Sequence, residues 1–213
     1  MNESIIHTAL PVMQAFYTLQ GEGFHQGKAA YFIRLGGCDV ECFWCDIKQS
    51  WDETKHPAKS IEEIVHEARL HTSPTGGRRK GAMIVVTGGE PLMHNLVALT
   101  TALKKENLQT HIETSGSHTL SGNWDWICLS PKKFKPPLPE IIPLANELKV
   151  VIYNKHDFIW AEQFAQKVSE HCKLYLQPEW GQSTKVTPLI IDYIKKNPQW
   201  ELSLQLHKYI NVP

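Results

Sequence analysis

The chain has 213 residues, and lysine plus arginine balance aspartate plus glutamate at 22 each. That length suits one domain, residues 1–213, with a single substantial core. A zero formal net charge gives no field to hold nucleic acid or a membrane surface, and no apolar run approaches the roughly 18 residues that cross a bilayer. The first residues also lack the basic start and apolar core of a secretory signal, so the expected partners are small molecules and the expected location is the cytoplasm.

Residues 12–19 form a short mixed run that ends at Gln20-Gly21-Glu22-Gly23, where glycines permit conformations and close approaches that other residues resist. This is either an ordinary turn or one that sets an amide beside a carboxylate to read a polar ligand edge. Ala29–Leu35 reads as a buried strand, apolar but for Arg34. A guanidinium in such a strand is costly unless its planar fork meets an anion, whether an internal carboxylate or a bound one. The strand delivers the chain into a loop where three of the five cysteines, Cys38, Cys42 and Cys45, fall close together. At Cys-x3-Cys-x2-Cys spacing they can hold three corners of a cubane iron–sulfur cluster and leave the fourth iron open. Two other readings stand beside this one. A zinc site needs a fourth ligand such as His25, because Cys128 and Cys172 are single and distant. A thiol redox pair at Cys42 and Cys45 leaves Cys38 idle. An odd cysteine count argues against a disulfide framework.

Residues 51–57 are polar and read as a loop. Ser60-Ile61-Glu62-Glu63 matches a capping box, and Ile61, Ile64, Val65 and Ala68 recur at helical spacing, predicting a helix to about His71. Residues 72–80, with Pro74, Gly76, Gly77 and the basic run Arg78, Arg79 and Lys80, read as a solvated connection. An apolar strand at 82–86 ends in Thr87-Gly88-Gly89-Glu90-Pro91-Leu92, where paired glycines expose backbone and a carboxylate can accept from an ammonium. Leu96, Leu99, Ala102 and Leu103 make one face of a helix that Asn107 can end. The strand Thr110–Thr114 opens into Glu113-Thr114-Ser115-Gly116, with His111 read as a core histidine.

Trp126–Leu129 is a short strand holding Cys128 as a small buried residue and ending at Ser130-Pro131-Lys132. Glu147–Ile152 supplies the next strand, in which Lys149 faces either a pocket or the surface. Ala161, Phe164, Ala165 and Val168 mark a long helix, and a strand at 173–176 leads to Gln177-Pro178-Glu179-Trp180. A helix at 189–196 and a strand at 201–206 close the chain. Strands near residues 30, 84, 112, 127, 150, 175 and 204 predict an α/β protein with a mostly parallel sheet. Each motif lies just past the C-terminal end of a strand, where loops converge and active sites are built. Seven strands with short connections suit a partial, open (β/α) barrel better than a closed one.

Cys38-x3-Cys42-x2-Cys45 followed by Gly88-Gly89-Glu90 resembles the radical S-adenosylmethionine superfamily. Within it, Gln20-Gly21-Glu22-Gly23, Phe32-Ile33-Arg34-Leu35, Cys45-Asp46 and the run from Thr87 to Leu92 together resemble the 7-carboxy-7-deazaguanine synthases, from about Phe16 to the C-terminus. The resemblance implies a trimmed radical-SAM core and a lyase of queuosine-type 7-deazapurine biosynthesis. Its cofactors would be a 4Fe-4S cluster on Cys38, Cys42 and Cys45 and S-adenosyl-L-methionine. The substrate would be 6-carboxy-5,6,7,8-tetrahydropterin, converted to 7-carboxy-7-deazaguanine and ammonia after a 5′-deoxyadenosyl radical takes the C6 hydrogen, with no catalytic side chain beyond the cluster-bound cofactor.

The resemblance also implies cofactor contacts at Trp44, Asp46, Gly89, Glu90, Ser130, Pro131, Lys132, Gln177, Pro178, Glu179 and Trp180. Substrate contacts would come from Leu19, Gln20, Gly21, Glu22, Arg34, Thr87, His207 and the terminal Pro213. A flavodoxin-like or other electron donor and a homodimer are implied as well. The family has a threonine two positions after the last cysteine, and its hydroxyl helps hold a magnesium ion; here that position is Ile47, which has no oxygen. Either other groups hold the ion, with Asp46 and Ser50 as candidates, or the protein does without it. Ser115 stands where the family has asparagine, a mild change that keeps a hydrogen-bonding group. A glycyl-radical activating enzyme shares the small size and the three cysteines, but it needs a peptide groove rather than an arginine for a carboxylate.

Overall fold

The computed structural model describes residues 8–72 and 82–213. The basic run Arg78, Arg79 and Lys80 lies outside the described residues, as do Met1 to His7.

Side chains alternate across a strand, and here the alternation sorts two kinds of chemistry onto two faces of one sheet. In β2 (Ala29–Leu35) Tyr31, Ile33 and Leu35 enter the main core, whereas Ala30 and Phe32 belong to a small separate apolar cluster. In β4 (Met83–Gly88) Ile84 and Val86 take the first face, Met83 and Val85 the second. The rule continues through β5 (Thr110–Thr114), β6 (Trp126–Leu129), β7 (Glu147–Ile152) and β8 (Lys173–Pro178), whose Ile112, Leu129, Leu148, Val150 and Leu176 are fully buried. Those residues pack beneath the helices, each side chain worth about 1.5–3 kcal/mol when withdrawn from water. The opposite, concave face carries Arg34, Glu113, Glu147 and Lys149, which is where the cleft lies.

The sheet order is β3-β1-β2-β4-β5-β6-β7-β8-β9, and every pairing from β2 to β9 (Trp200–Leu202) is parallel. Among the described residues the edge strands do not pair with each other, so the barrel is open, as its sequence pattern predicts. The parallel strands are those expected from sequence. Two antiparallel strands extend the edge: β1 (Ala9–Leu19) against β2, and β3 (Ala58–Ser60) against β1.

Helix α1 (Ile61–Thr72) starts at the expected capping box, with Ser60 N donating to Glu63 Oε2 at 2.8 Å and Glu63 N to Ser60 Oγ at 3.2 Å. Helix α2 (Val97–Lys105) ends where Asn107 takes φ 56°, with Leu108 N bonded to Leu103 O and Asn107 N to Lys104 O. This is a Schellman closure using an asparagine, one of the few side chains that tolerate the left-handed region. Three boundaries differ from the sequence reading. Helix α3 (Asp157–Ala165) stops short of Val168, which still packs on the core from the following turn. Helix α4 (Ser183–Lys196) begins before Pro188, which lies inside it at the cost of one backbone hydrogen bond, with Val186 and Ile190 buried on either side of it in sequence. The last strand ends at Leu202 rather than Leu206: buried Ser203 bonds Gln177 Oε1 at 2.8 Å and receives Gly23 N at 3.0 Å, and Leu206 already opens α5 (Leu206–Ile210).

Candidate active site

The cysteine loop is clamped to the end of β4 by backbone bonds, and His94 Nε2 lies 2.8 Å from Gly36 O beside them. Gly89 N donates to Leu35 O at 2.9 Å and Glu90 N to Gly37 O at 2.8 Å. Gly88 sits at φ 122°, and a methyl group on it would lie 2.3 Å from the backbone of Leu35; one on Gly89 would lie 2.1 Å from Gly37 O. The two glycines are therefore needed to let the loop lie against the strand end. Glu90 is buried, and its carboxylate accepts from Leu92 N, Thr114 Oγ1, Ser115 N and Ser115 Oγ, tying β4 to β5. Ser115, where the family has asparagine, thus keeps two of those bonds.

Cys38, Cys42 and Cys45 all line one cleft and are free thiols. Burial raises the Cys38 thiol, against which the backbone groups of Val40 and Glu41 hydrogen-bond it, and burial pushes Cys42 up to about 11. Loading a metal cluster here would release protons from these sulfurs. Among the described residues, no three His, Cys, Asp or Glu side chains converge to hold a lone metal ion. Three thiols at Cys-x3-Cys-x2-Cys spacing on one short loop suit three corners of a cubane. His25 does not join them: it packs against His111 and Trp126 in an aromatic cluster with Phe24. Burial lowers both histidines to about 4 there, and His111 is indeed a buried histidine.

Nearly all the residues implied by the family pattern line the same cleft. They include Leu19, Gln20, Gly21, Glu22, Arg34, Trp44, Asp46, Thr87, Gly89, Glu90, Ser130, Lys132, Gln177, Pro178, Glu179, Trp180, His207 and Pro213. Pro131 is not among the lining residues, although its two neighbours are. Lys132 Nζ donates to Ser130 O at 2.8 Å and lies 5.6 Å from the Trp44 ring centroid. Glu179 caps the turn after β8, accepting from Gly181 N at 3.0 Å and Gln182 N at 2.9 Å.

Arg34 has an incomplete set of partners. One nitrogen donates to Gln14 Oε1 at 3.0 Å, and the guanidinium lies 4.8 Å from the Phe16 ring centroid. Its Nε is buried without a hydrogen-bond partner. An internal salt bridge, the other reading of this arginine, does not form within 4.0 Å among the described residues. An unpaired buried donor costs about 1–3 kcal/mol, and Arg34 lines the cleft with that donor unmatched.

Facing it is a network that sequence reading did not assemble. Lys149 is ion-paired to Glu22 and to Glu113, the latter at 3.3 Å. Gln20 Nε2 donates to Glu113 Oε1 at 2.8 Å, and Gln205 Nε2 to Glu22 Oε1 at 3.0 Å. Burial alone would raise Glu22, but the Lys149 ammonium outweighs it and holds the carboxyl down at about 2. Burial likewise opposes the Lys149 charge, and Glu113 and Glu22 more than restore it. Both carboxylates are thus set against one ammonium. Glu113 and Lys149 escape the sequence reading because a charged residue in a strand does not reveal its face, and Gln205 because it follows the strand as the N-cap of α5. The alternation of Lys149 with buried Leu148 and Val150 was the available signal.

The C-terminal segment closes the cleft. Leu206 N donates to Gly21 O at 2.9 Å, and a methyl on Gly21 would lie 2.2 Å from His207 Nδ1, so the helix packs directly on that glycine. Thr18 Oγ1 reaches Pro213 O at 3.4 Å. Burial lowers the pKa of His207, against the pull of Glu22. Lys208 Nζ binds Asp46 Oδ2 at 2.7 Å, and Ser50 Oγ donates to Ile47 O at 2.7 Å.

With this geometry in place, comparisons with known proteins agree. The model of the Radical SAM superfamily matches residues 32–142. A 7-carboxy-7-deazaguanine synthase of Flavobacterium psychrophilum is 54% identical over 204 residues, covering 96% of this chain and 93% of that protein. One from Synechocystis is 47% identical over 98% of this chain and 96% of its own length. The crystal structure of QueE from Escherichia coli superposes with a TM-score of 0.81 at 30% identity, covering 94% of this chain and 96% of that one. A near-full-length match at such identity, together with the cysteine loop, the double-glycine clamp and the open parallel barrel, places this chain in the 7-carboxy-7-deazaguanine synthase family of the radical SAM superfamily.

Proposed function

We propose that the chain, acting as a single domain, converts 6-carboxy-5,6,7,8-tetrahydropterin to 7-carboxy-7-deazaguanine and ammonia. The observation that carries the reading is Arg34, whose buried Nε lacks a partner in the cleft that the three cysteines line. Cys38, Cys42 and Cys45 would hold the 4Fe-4S cluster. Trp44, Ser130, Lys132 and the strand-end run from Gln177 to Trp180 would hold S-adenosylmethionine, with Gly89 and Glu90 shaping the wall beside its methionine end. When bound, these cofactors supply a 5′-deoxyadenosyl radical able to take the C6 hydrogen.

The protein's own work is binding and orientation. Arg34 takes the substrate carboxylate through its planar fork, a pairing that fixes direction as well as charge. Glu22 and Glu113, carboxylates that share the Lys149 ammonium, accept from the donor-rich amine and amide edge of the pterin. Gln20 is held beside them by its bond to Glu113. Two anchors at opposite ends of a rigid bicycle leave one orientation, and such positioning supplies much of a radical enzyme's selectivity. His207 and Pro213, brought over the cleft by α5, exclude water. Among the described residues no helix is long and apolar enough to cross a membrane. We read the protein as cytoplasmic and homodimeric, reduced by a flavodoxin-like or other donor. The family's magnesium ion does not fit the residues found here.

Anaerobically reconstituted protein given S-adenosylmethionine, dithionite and the carboxytetrahydropterin should form the deazaguanine acid, identified by mass. Cofactor cleavage without that product would refute the substrate assignment.

A further inference from the structure

Magnesium binds oxygen ligands in near-octahedral geometry at about 2.0–2.1 Å, and where the family offers a threonine hydroxyl to its ion this chain has Ile47. Ile47 lines the cleft and offers only carbon. Ser50 is buried, does not line the cleft, and its hydroxyl is engaged with Ile47 O at 2.7 Å. Asp46 lines the cleft, but its Oδ2 is 2.7 Å from Lys208 Nζ. That ammonium is also held by Gln205 Oε1 at 3.0 Å and stands 4.8 Å from the Trp180 ring centroid. Asp46, Gln205 and Trp180 all belong to the cleft wall, and Lys208, on α5, sets an ammonium against the first two without itself being a lining residue.

We propose that the Lys208 ammonium replaces the divalent ion in this chain. It neutralises Asp46 and sets a positive charge beside the cleft wall, additional to Arg34, making turnover independent of magnesium. An ammonium has three donors, and Asp46 and Gln205 take two of them. The third is left for an incoming oxygen. A dication could enter only by displacing Lys208, since two cations would otherwise crowd one carboxylate. The inference rests on the carboxypterin reading above and adds to it the source of the second positive charge.

The test has a kinetic and a binding arm, both on reconstituted holoenzyme. Wild-type turnover should change by less than about twofold between EDTA and millimolar magnesium chloride, and calorimetric titration with magnesium chloride should give no binding heat. Lys208→Ala should raise KM for the carboxypterin roughly tenfold to a hundredfold with a much smaller change in kcat. Magnesium chloride should bind this variant through the freed Asp46 and lower its KM again, while Lys208→Arg should stay independent of the ion. Wild-type turnover that collapses in EDTA and returns with magnesium would overturn the proposal, as would magnesium heat in the wild type or an unchanged KM in Lys208→Ala. Absence of product in every arm would instead fall on the substrate assignment, and the calorimetric arm would still decide whether Lys208 excludes the ion.

Discussion

Replacing Arg34 by alanine should lower kcat/KM for the carboxypterin about 10³-fold, or roughly 4 kcal/mol, while iron content and the cluster's spectrum stay as in the wild type. The size follows from what the change leaves behind. A substrate carboxylate brought into a cleft walled by Phe16 and Phe32 would find no fork to meet it, and stranding a desolvated charge costs about 3–5 kcal/mol. Arg34→Lys should recover part of the loss, because the charge returns without the paired geometry. The folded state should suffer little, since the arginine's own partners are Gln14 and the Phe16 ring and its Nε is unpaired already. Turnover within about threefold of wild type in Arg34→Ala would remove the arginine from substrate binding.

The second large effect is expected at Gly89, through cluster loading rather than substrate. An alanine methyl there would stand 2.1 Å from Gly37 O and 3.0 Å from Cys38 Cβ, both on the cysteine loop. The loop has to retreat, and with it the 2.8 Å bond from Glu90 N to Gly37 O. Overpacking of this kind costs about 1–3 kcal/mol, a drop of a few degrees in Tm that leaves the barrel folded. Cys38 cannot retreat and still serve the same cluster corner as before, so bound iron should fall by more than about half and turnover at least about a hundredfold. Gly89→Ala with full iron and wild-type turnover would show that the clamp does not set the cysteines.

The parallel core was legible in the sequence because each of its strands is an apolar run closed by a motif, and their positions hold. The antiparallel edge was not. Residues of β1 read as a mixed run because its register shifts between Val12 and Gln14, which breaks the period-two pattern on which a strand is recognised. Strand β3 is three residues long and runs directly into a capping box, so the helix signal masked it. The last strand reads longer in sequence than in the structure because Leu204 and Leu206 continue an apolar alternation that in space turns away at buried Ser203.

The site divides in the same way. Arg34 and the three cysteines announced themselves, since a charge in an apolar strand and clustered thiols are each locally improbable. The Glu22, Glu113 and Lys149 network is made across β5, β7 and the turn after β1, and only the folded sheet brings its members together. Glu90 shows the reverse case. Its motif points to a ligand's ammonium, yet its carboxylate is occupied by Leu92, Thr114 and Ser115, so much of its work is to hold two strand ends together. Lys208 lay in a stretch with no motif, and its pairing with Asp46 emerges only once α5 folds back over the cleft.

Electron paramagnetic resonance on dithionite-reduced, anaerobically reconstituted protein, recorded before and after S-adenosylmethionine is added, reaches the central claim most directly. A cubane on Cys38, Cys42 and Cys45 with one iron free of protein ligands predicts a four-iron signal, about four irons per chain, and a spectrum that shifts when the cofactor amine and carboxylate occupy the open position. A protein that takes up zinc in place of iron, or whose iron signal is unchanged by S-adenosylmethionine, would contradict it.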